Sequence, residues 1–238
     1  MKKIHIIKAG EAFAETAAQH GDFDVMIRRG LGVADEQVGV IAAYRGEPLP
    51  PPAHCSGIVI TGAHCMVTDD LPWSLAIEAW IPKVLAHKVP LLGICYGHQL
   101  LGRAMGGTVA DHPKGKEVGT FPINLQPASQ QDPLFGALPD HFPVHTSHTQ
   151  SVITLPPGAV LLAANAFEPH HAMRIGSCAW GVQFHPEYDT QVARDYILAQ
   201  ADSLQQSGRD VAALLADVRQ TPSAAALLRK FACLACGG

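Results

Sequence analysis

The sequence predicts an α/β protein in which an open, mostly parallel sheet is flanked by helices and carries a small antiparallel portion. Through the first half of the chain, short apolar and β-branched runs alternate with amphipathic segments, the pattern of parallel strands joined by helices. Residues 116–188 instead show successive strand and turn patterns with little helix, which accounts for the antiparallel portion. With 238 residues, 47% of them hydrophobic and 16% charged, the chain has enough apolar material for one large α/β unit.

The first half of the chain contains four predicted strands and three predicted helices, of which the helix after Cys95 is described below. The strands are the apolar runs KIHIIKA, VGVIAAYRG, GIVITG and VPLLGIC. The last run is continuously apolar, which is typical of a strand buried on both faces. The other two helices are EAFAETAAQHG and WSLAIEAWIPKVLAHK, and Pro82 in the latter predicts either two helical pieces or a kink.

The C-terminal part of the chain is predicted to be helical. The stretch DTQVARDYILAQADSLQQ predicts one helix, and the Ala- and Leu-rich tail from Asp210 onward predicts one or two more. Thr221 and Pro222 fit the N-cap and the first turn of the last helix. We find no repeat or linker, and we expect a domain over residues 1–205 with a helical extension over residues 206–238 packed on it.

Composition and charge exclude several classes of function. A net charge of −4 and a pI of about 6.3 argue against a nucleic-acid or membrane-surface partner. No stretch approaches the ~18 apolar residues of a membrane span, and Lys8 and Glu11 interrupt the first apolar run too early for a signal peptide. Six cysteines in a chain of this length are not a disulfide framework, so we expect a cytoplasmic protein.

Cys95 stands in the segment PLLGICYGHQLLG, where a buried strand ends in Gly-x-Cys-x-Gly and runs directly into a helix. This order is typical of a nucleophile elbow, in which glycines permit a sharp turn that exposes the side chain. The positive end of the helix dipole favours the thiolate, which is the reactive form. By itself the motif leaves open that Cys95 is a small buried hydrophobic residue.

The segment GVQFHPEY offers a base for such a nucleophile. Pro186 favours an extended backbone at His185, and in an extended chain residues i and i+2 project to the same side. Glu187 can therefore hydrogen-bond His185 and fix its tautomer. A strand-end histidine without a role is the alternative, but the combination with a cysteine elbow favours a catalytic pair.

Together, PLLGICYGHQLLG and GVQFHPE resemble the class I (triad) glutamine amidotransferases, most closely the amidotransferase domain of GMP synthases and its stand-alone relatives. The resemblance extends from about Lys2 to about Gln205 and implies the flavodoxin-like fold of that family. It implies that Cys95 is the nucleophile and that His185 and Glu187 complete the triad.

The resemblance also implies an oxyanion hole. The loop in GIVITGAHCMV is similar to the family's Ser/Thr-Gly/Asn-Gly-Pro loop, with Ala63 and His64 in place of Gly-Pro. The implied donors are the backbone N–H groups of Ala63 and Tyr96, since alanine can supply an N–H where its φ is tolerated.

The segment SHTQSV resembles the strand that holds the substrate in this family. Thr149 and Gln150 stand where GMP synthases usually show Gly-Asp, so we expect contacts through the backbone there. The substrate-binding residues implied by the resemblance are Gly62, Gln99, Ser147, Thr149 and Gln150. The segment HPKGKEVG is predicted to be a solvated loop, which in the family lies near the rim of the active site.

The implied reaction is hydrolysis of the side-chain amide of glutamine through a cysteine thioester, giving glutamate and ammonia, with no metal or organic cofactor. Two alternatives remain open: a γ-glutamyl peptide or metabolite hydrolase with the same triad, and a weakly active regulatory or partner-dependent subunit. The 238 residues contain no Walker-type phosphate loop, so we expect a synthase-type partner protein to activate any ammonia acceptor. The sequence leaves the acceptor and the oligomeric state open.

Two further motifs are weaker. His145 and His148 form H-x-x-H near the adjacent His170 and His171, but residues i and i+3 of a strand face opposite sides, so we predict no metal site. The Cys233-x-x-Cys236 pair lacks the βαβ context of a redox motif.

Overall fold

The computed structural model describes residues 2–237, which form eleven strands. Nine of them build the central sheet: β1 (Lys3–Ile7), β2 (Val38–Ile41), β3 (Cys55–Ile60), β4 (Leu91–Ile94), β6 (Glu117–Leu125), β7 (His141–His148), β9 (Val160–Ala164), β10 (Ala172–Ile175) and β11 (Ala179–Val182). Their order across the sheet is β2-β1-β3-β4-β11-β10-β9-β6-β7. The other two, β5 (Thr108–Asp111) and β8 (Gln150–Thr154), form a separate antiparallel pair.

The central sheet has a parallel half and an antiparallel half. The pairs β1–β2, β1–β3, β3–β4 and β4–β11 are parallel. The pairs β11–β10, β10–β9, β9–β6 and β6–β7 are antiparallel. Only β6 and β10 run against the other strands of this sheet. The predicted mostly parallel sheet is confirmed, with its antiparallel portion in the residues 116–188 that showed the strand-and-turn pattern.

Eight α-helices cover the sheet in the described part of the chain. They are α1 (Ala14–His20), α2 (Phe23–Leu31), α3 (Pro72–Ala86), α4 (Tyr96–Ala104), α5 (Thr190–Ala199), α6 (Ala201–Gln206), α7 (Val211–Ala216) and α8 (Pro222–Cys236). The sequence analysis missed α2. Its signals are present, because Asp22 caps its first N–H, Gly32 ends it in the left-handed region, and apolar side chains are buried at helical spacing.

Helix α3 continues through Pro82, so the alternative of two helical pieces is wrong. An interior proline removes one helical hydrogen bond and costs about 3 kcal/mol or more. Ile77, Trp80, Ile81 and Val84 on the same helix are all buried, and each such side chain contributes about 1.5–3 kcal/mol. Tertiary burial therefore outweighs the local penalty.

The single helix predicted from DTQVARDYILAQADSLQQ is also wrong, because the segment forms α5 and α6 with a break at Gln200. The Gln200 side-chain amide donates to the Tyr196 carbonyl at 2.8 Å, the acceptor that a continuous helix would offer to the Gln200 backbone N–H. That N–H instead donates to the Ile197 carbonyl at 3.3 Å. The same side chain donates to Ser147 Oγ at 3.1 Å, so a tertiary contact fixes the break.

Helix α8 begins at Pro222, as predicted, although the Thr221 side chain makes no capping hydrogen bond. The helix packs tightly on the sheet, since a Cβ on Gly57 of β3 would lie 2.6 Å from the Ala235 Cβ. The division of the chain at residue 205 stays a prediction. Among residues 2–237, no helix has both the length and the apolar character needed to cross a membrane.

Candidate active site

Cys95 lies at the turn between β4 and α4, in a backbone conformation that side chains rarely adopt. Its φ is 50° and its ψ is −101°, and it is one of three described non-glycine residues with positive φ. Such a conformation costs about 1–3 kcal/mol and persists where the surroundings enforce it. Here the Cys95 N–H donates to the Val182 carbonyl at 2.8 Å, and its carbonyl accepts from the Gln99 N–H at 3.1 Å. The predicted elbow is therefore present.

The two glycines of Gly-x-Cys-x-Gly are required by close backbone approaches. A Cβ on Gly93 would lie 2.3 Å from the Gly97 carbonyl oxygen, and a Cβ on Gly97 would lie 2.4 Å from the Ile60 carbonyl oxygen. Either contact is too short for a real side chain. The glycines thus let α4 start directly against β3 and β4, which directs the Cys95 side chain into a cavity above the sheet.

His185 is held beside Cys95 by contacts on every side. Its Nδ1 lies 2.7 Å from Glu187 Oε1, and its backbone N–H donates to the His145 carbonyl at 2.9 Å. The imidazole stacks on Tyr188 with ring centroids 4.1 Å apart, and on its other side it lies parallel to Phe23 at 6.2 Å. The Glu187 contact places a proton on Nδ1 and leaves Nε2 for the reaction.

The electrostatic surroundings keep His185 positively charged. Burial by itself lowers the pKa of the imidazole, but the negative charges of Glu187 and Cys95 outweigh burial and raise the pKa to about 10. An imidazolium next to the sulfur favours the thiolate and can donate a proton to a leaving group. The structure brings the three predicted triad residues together, while their catalytic roles stay predictions.

The predicted oxyanion donors Ala63 and Tyr96 both line the cavity that Cys95 faces. Tyr96 is the first residue of α4, so its N–H has no partner within the helix. The loop before Ala63 is fixed by Thr61, whose hydroxyl accepts from the Ala9 N–H at 3.0 Å and donates to the Gly62 carbonyl at 2.9 Å. Their role as oxyanion donors stays a prediction.

The cavity has a volume of about 390 Å³, within the usual range of small-molecule sites. Four predicted substrate residues line it, namely Gln99, Ser147, Thr149 and Gln150. Gly62 is not among the lining residues, and a Cβ there would lie 3.0 Å from His185 Cε1, so glycine makes room for the imidazole. The segment HPKGKEVG was expected near the rim, and its Lys116 does line the cavity. The sequence analysis gave no substrate role to the other lining residues: Phe13, His64, Cys65, Met66, His148, Ala199, Gln200, Asp202 and Ser203.

Known proteins resemble this chain in sequence and in fold. The family profile described as glutamine amidotransferase class-I matches residues 23–202, which is most of the chain. The chain belongs to the class I glutamine amidotransferase family. The cysteine-dependent enzyme class and the resemblance to GMP synthases that the two motifs implied are thereby confirmed.

Two relatives show how much of a GMP synthase the amidotransferase chain matches. It is 32% identical over 170 residues to one subunit of the glutamine-hydrolyzing GMP synthase from Ignicoccus hospitalis, covering 70% of this chain and 84% of that protein. It is 34% identical over 171 residues to the GMP synthase of Aeropyrum pernix, covering 71% of this chain. The match spans 31% of that second protein, about a third of its length.

Solved structures of glutamine amidotransferases share the fold. A glutamine amidotransferase from Thermotoga maritima superimposes with a TM-score of 0.77 over 100% of both chains at 21% identity. One from Methylobacillus flagellatus superimposes with a TM-score of 0.73 at 26% identity, over 99% of this chain and 93% of the other.

In this amidotransferase the two predicted glutamines have different surroundings. Gln99 donates from Nε2 to the Gln150 carbonyl at 2.6 Å and to Gln183 Oε1 at 3.1 Å. The Gln150 side chain donates to Thr68 Oγ1 at 2.7 Å and to Asp111 Oδ1 at 3.0 Å. The side-chain amide donor of Gln150 is thus engaged within the protein, and its backbone carbonyl already accepts from Gln99.

A buried ion pair involves His148, the last residue of β7, which lies between Ser147 and Thr149. His148 Nδ1 lies 3.0 Å from the Gln150 carbonyl and Nε2 lies 3.0 Å from Glu117 Oε2. Both ring nitrogens thus face acceptor oxygens, and both contacts are buried. Burial raises the pKa of Glu117, but the hydrogen bond from His148 and the nearby His171, whose Nε2 lies 3.4 Å from Glu117 Oε2, hold it well below its usual range.

The histidines considered as metal ligands have protein partners instead. His145 Nδ1 lies 2.9 Å from Thr120 Oγ1, and His148 is bound to Glu117. Within residues 2–237, no group of three or more His, Cys, Asp or Glu side chains is arranged to hold a metal ion.

Proposed function

We propose that this amidotransferase hydrolyses the side-chain amide of glutamine at Cys95, giving glutamate and ammonia. One observation carries the proposal: a strained cysteine faces the cavity next to a histidine that Glu187 and Cys95 hold as a cation. A thiolate–imidazolium pair is the arrangement that acyl transfer from an amide requires, because it provides both a nucleophile and a proton for the departing nitrogen.

In the first step, the Cys95 sulfur attacks the carboxamide carbon, and the carbonyl electron pair moves onto oxygen. The N–H groups of Ala63 and Tyr96 are the proposed donors to this oxyanion, and in comparable hydrolases one such donor is worth about 3–4 kcal/mol. His185 transfers its Nε2 proton to the nitrogen, the C–N bond breaks, and ammonia leaves. A γ-glutamyl thioester on Cys95 remains.

In the second step, water attacks the thioester carbon while the neutral His185 accepts a proton from it. Collapse of the tetrahedral intermediate breaks the C–S bond, releases glutamate and restores the thiolate–imidazolium pair. Throughout both steps Glu187 keeps the Nδ1 proton in place and stabilises the cation. The scheme needs water as its only co-substrate and routes no step through a metal or organic cofactor.

The fate of the ammonia forms a second part of the proposal. Because the chain is similar to one subunit of a GMP synthase, we propose that a synthase-type partner protein receives the ammonia and activates its acceptor. A γ-glutamyl peptide hydrolase with the same triad is the competing function, and a partner-dependent subunit that is nearly silent alone is the third.

Assays of the wild-type chain, a Cys95→Ser variant and a Cys178→Ser control test the proposal. Cys178 is a half-buried thiol outside the cavity, so its replacement leaves activity intact. We expect glutamate release from glutamine to fall by more than about a thousandfold in Cys95→Ser alone. Each chain is assayed alone and with proteins recovered by pull-down, using glutamine and a γ-glutamyl dipeptide. A higher kcat/KM for the dipeptide, or equal activity of the Cys95→Ser variant, would overturn the proposal.

A further inference from the structure

We infer that the cavity binds the amino-acid end of its substrate as a zwitterion, with Lys116 contacting the α-carboxylate and Asp202 the α-ammonium group. The inference rests on the proposed function, because it places the γ-carbon of the substrate at Cys95. It assigns specificity to two residues to which the sequence analysis gave no substrate role.

Lys116 has a rigid backbone position at the edge of the cavity. Its carbonyl accepts from Arg209 Nη2 at 2.7 Å. The next residue, Glu117, pairs in register with His148 and is fixed by the buried ion pair. The loop that carries Lys116 is therefore held in place where it meets the cavity, and the half-buried Lys116 side chain lines it.

The Lys116 ammonium has spare hydrogen-bonding capacity. Its described hydrogen bond goes to a neutral acceptor, Gln200 Oε1, at 3.0 Å. Among the ion pairs of residues 2–237, none joins Lys116 to a carboxylate within 4.0 Å. An ammonium has three donors, so two are available. A half-buried cation without a counter-ion attracts a carboxylate more strongly than one in bulk water.

A short series of contacts connects this cation to the nucleophile. Gln200 Nε2 donates to Ser147 Oγ at 3.1 Å, and the Ser147 carbonyl lies 3.7 Å from Cys95 Sγ. Lys116, Gln200 and Ser147 thus form one continuous face of the cavity, which ends at the thiol. A glutamyl group that reacts at Cys95 extends along this face towards Lys116.

Asp202 supplies the opposite charge. It follows the break at Gln200, lines the same cavity and is exposed. No ion pair among the described residues joins it to a cation within 4.0 Å. The cavity therefore offers one unpaired cation and one unpaired anion, which complements a free α-amino acid and disfavours an amide that lacks either charge.

The other titratable groups at the cavity do not serve as this cation. His148 is bound to Glu117 in the buried ion pair. The pKa of His64 is lowered, first by burial and then by the positive charge of His185, with a smaller contribution from Lys116, which favours neutral His64. Lys116 is left as the cation available to a substrate carboxylate.

Covalent labelling of Cys95 tests the inference without requiring turnover or a partner. One probe is the amino-acid electrophile 6-diazo-5-oxo-L-norleucine, which carries both α-groups, and the other is iodoacetamide, which carries neither. The labelling rate of Cys95 is measured by peptide mass spectrometry. Lys114→Met is the matched control, because Lys114 is on the same loop but lies over the Phe167 ring, outside the cavity lining.

For Lys116→Met, we expect labelling by the amino-acid electrophile to slow by about 10- to 100-fold, the loss of one charge-assisted hydrogen bond. Lys116→Arg restores part of the rate because it keeps the charge. Asp202→Asn slows the same reaction by about 3- to 10-fold, since this carboxylate is more exposed. Labelling by iodoacetamide stays unchanged in all of these variants, as does every rate in Lys114→Met.

Turnover of truncated amides assigns each charge to its residue. 4-Carbamoylbutanoate lacks the α-ammonium group and 4-aminobutanamide lacks the α-carboxylate. Lys116→Met lowers kcat/KM for glutamine and 4-carbamoylbutanoate but not for 4-aminobutanamide. Asp202→Asn lowers kcat/KM for glutamine and 4-aminobutanamide but not for 4-carbamoylbutanoate.

The outcomes separate this inference from the proposed function. If the amino-acid electrophile labels Cys95 equally fast in wild type, Lys116→Met and Asp202→Asn, the zwitterion site is wrong while the nucleophile stands. If it fails to label wild-type Cys95 although iodoacetamide does, the site is likewise wrong. If neither probe labels Cys95, the proposed function fails and the inference fails with it.

Discussion

Replacing Glu187 with glutamine tests the electrostatic basis of the catalytic pair. Glutamine can keep a hydrogen bond to His185 Nδ1 through its carbonyl oxygen, so the change removes the charge while preserving shape. In the wild type, Glu187 Oε1 lies 2.7 Å from Nδ1, and the His185 side chain is almost completely buried. The variant therefore isolates what the carboxylate charge contributes.

The magnitude follows from the pKa of His185. A pKa of about 10, against an ordinary value of 6.5, corresponds to about 5 kcal/mol in favour of the cation. Glu187 and Cys95 supply this stabilisation jointly, against the effect of burial. We therefore expect Glu187→Gln to lower the pKa of His185 by several pH units and kcat by about 10²- to 10⁴-fold.

The pH dependence gives the sign of the effect. His185 must be protonated to donate to the leaving nitrogen, so activity declines as pH rises through its pKa. The alkaline limb of kcat/KM should move to lower pH in the variant. The raised pKa of His185 stabilises the folded protein fully below pH 6.5, and this stabilisation is lost as pH rises to about 10. The Tm difference between wild type and variant should therefore shrink across that range. An unchanged alkaline limb in Glu187→Gln would refute the reasoning.

Two further predictions concern the residues that build the site. Gly97→Ala places a Cβ 2.4 Å from the Ile60 carbonyl oxygen. We therefore expect the free energy of unfolding, measured in urea, to fall by about 1–3 kcal/mol and the alkylation of Cys95 to slow. Wild-type values in both measurements would contradict the assigned contact. Glu117→Gln removes the buried carboxylate that pairs with His148 and should cost about 3–5 kcal/mol. Because the pKa of Glu117 is depressed, its contribution to the free energy of unfolding is present above pH 4.5 and is lost as pH falls. The difference in unfolding free energy between wild type and variant should therefore shrink in acid. A difference that stays constant with pH would count against the ion pair.

The sequence predicted the features that depend on neighbouring residues. The elbow could be predicted because Gly93, Cys95 and Gly97 lie within five consecutive positions, where the turn and the close approach are both local. His185 and Glu187 could be paired because two residues of extended chain project to the same side. The alternation of strands and helices likewise follows from local periodicity, and these elements account for the fold class and the proposed triad.

What the sequence could not decide depends on residues that meet only in the folded protein. Helix α3 continues through Pro82 because its apolar side chains are buried in the core, and the break at Gln200 follows from a hydrogen bond to Ser147, 53 positions away. Lys116 meets Gln200 across 84 positions, so the sequence could place its segment near the rim by resemblance but could not place its ammonium against Gln200. The sequence by itself thus predicted the elbow at Cys95 and the pairing of His185 with Glu187, since each of these features is built from residues that are close together along the chain. The tertiary structure alone decided which charges line the cavity, because side chains that line one cavity need not be close along the chain.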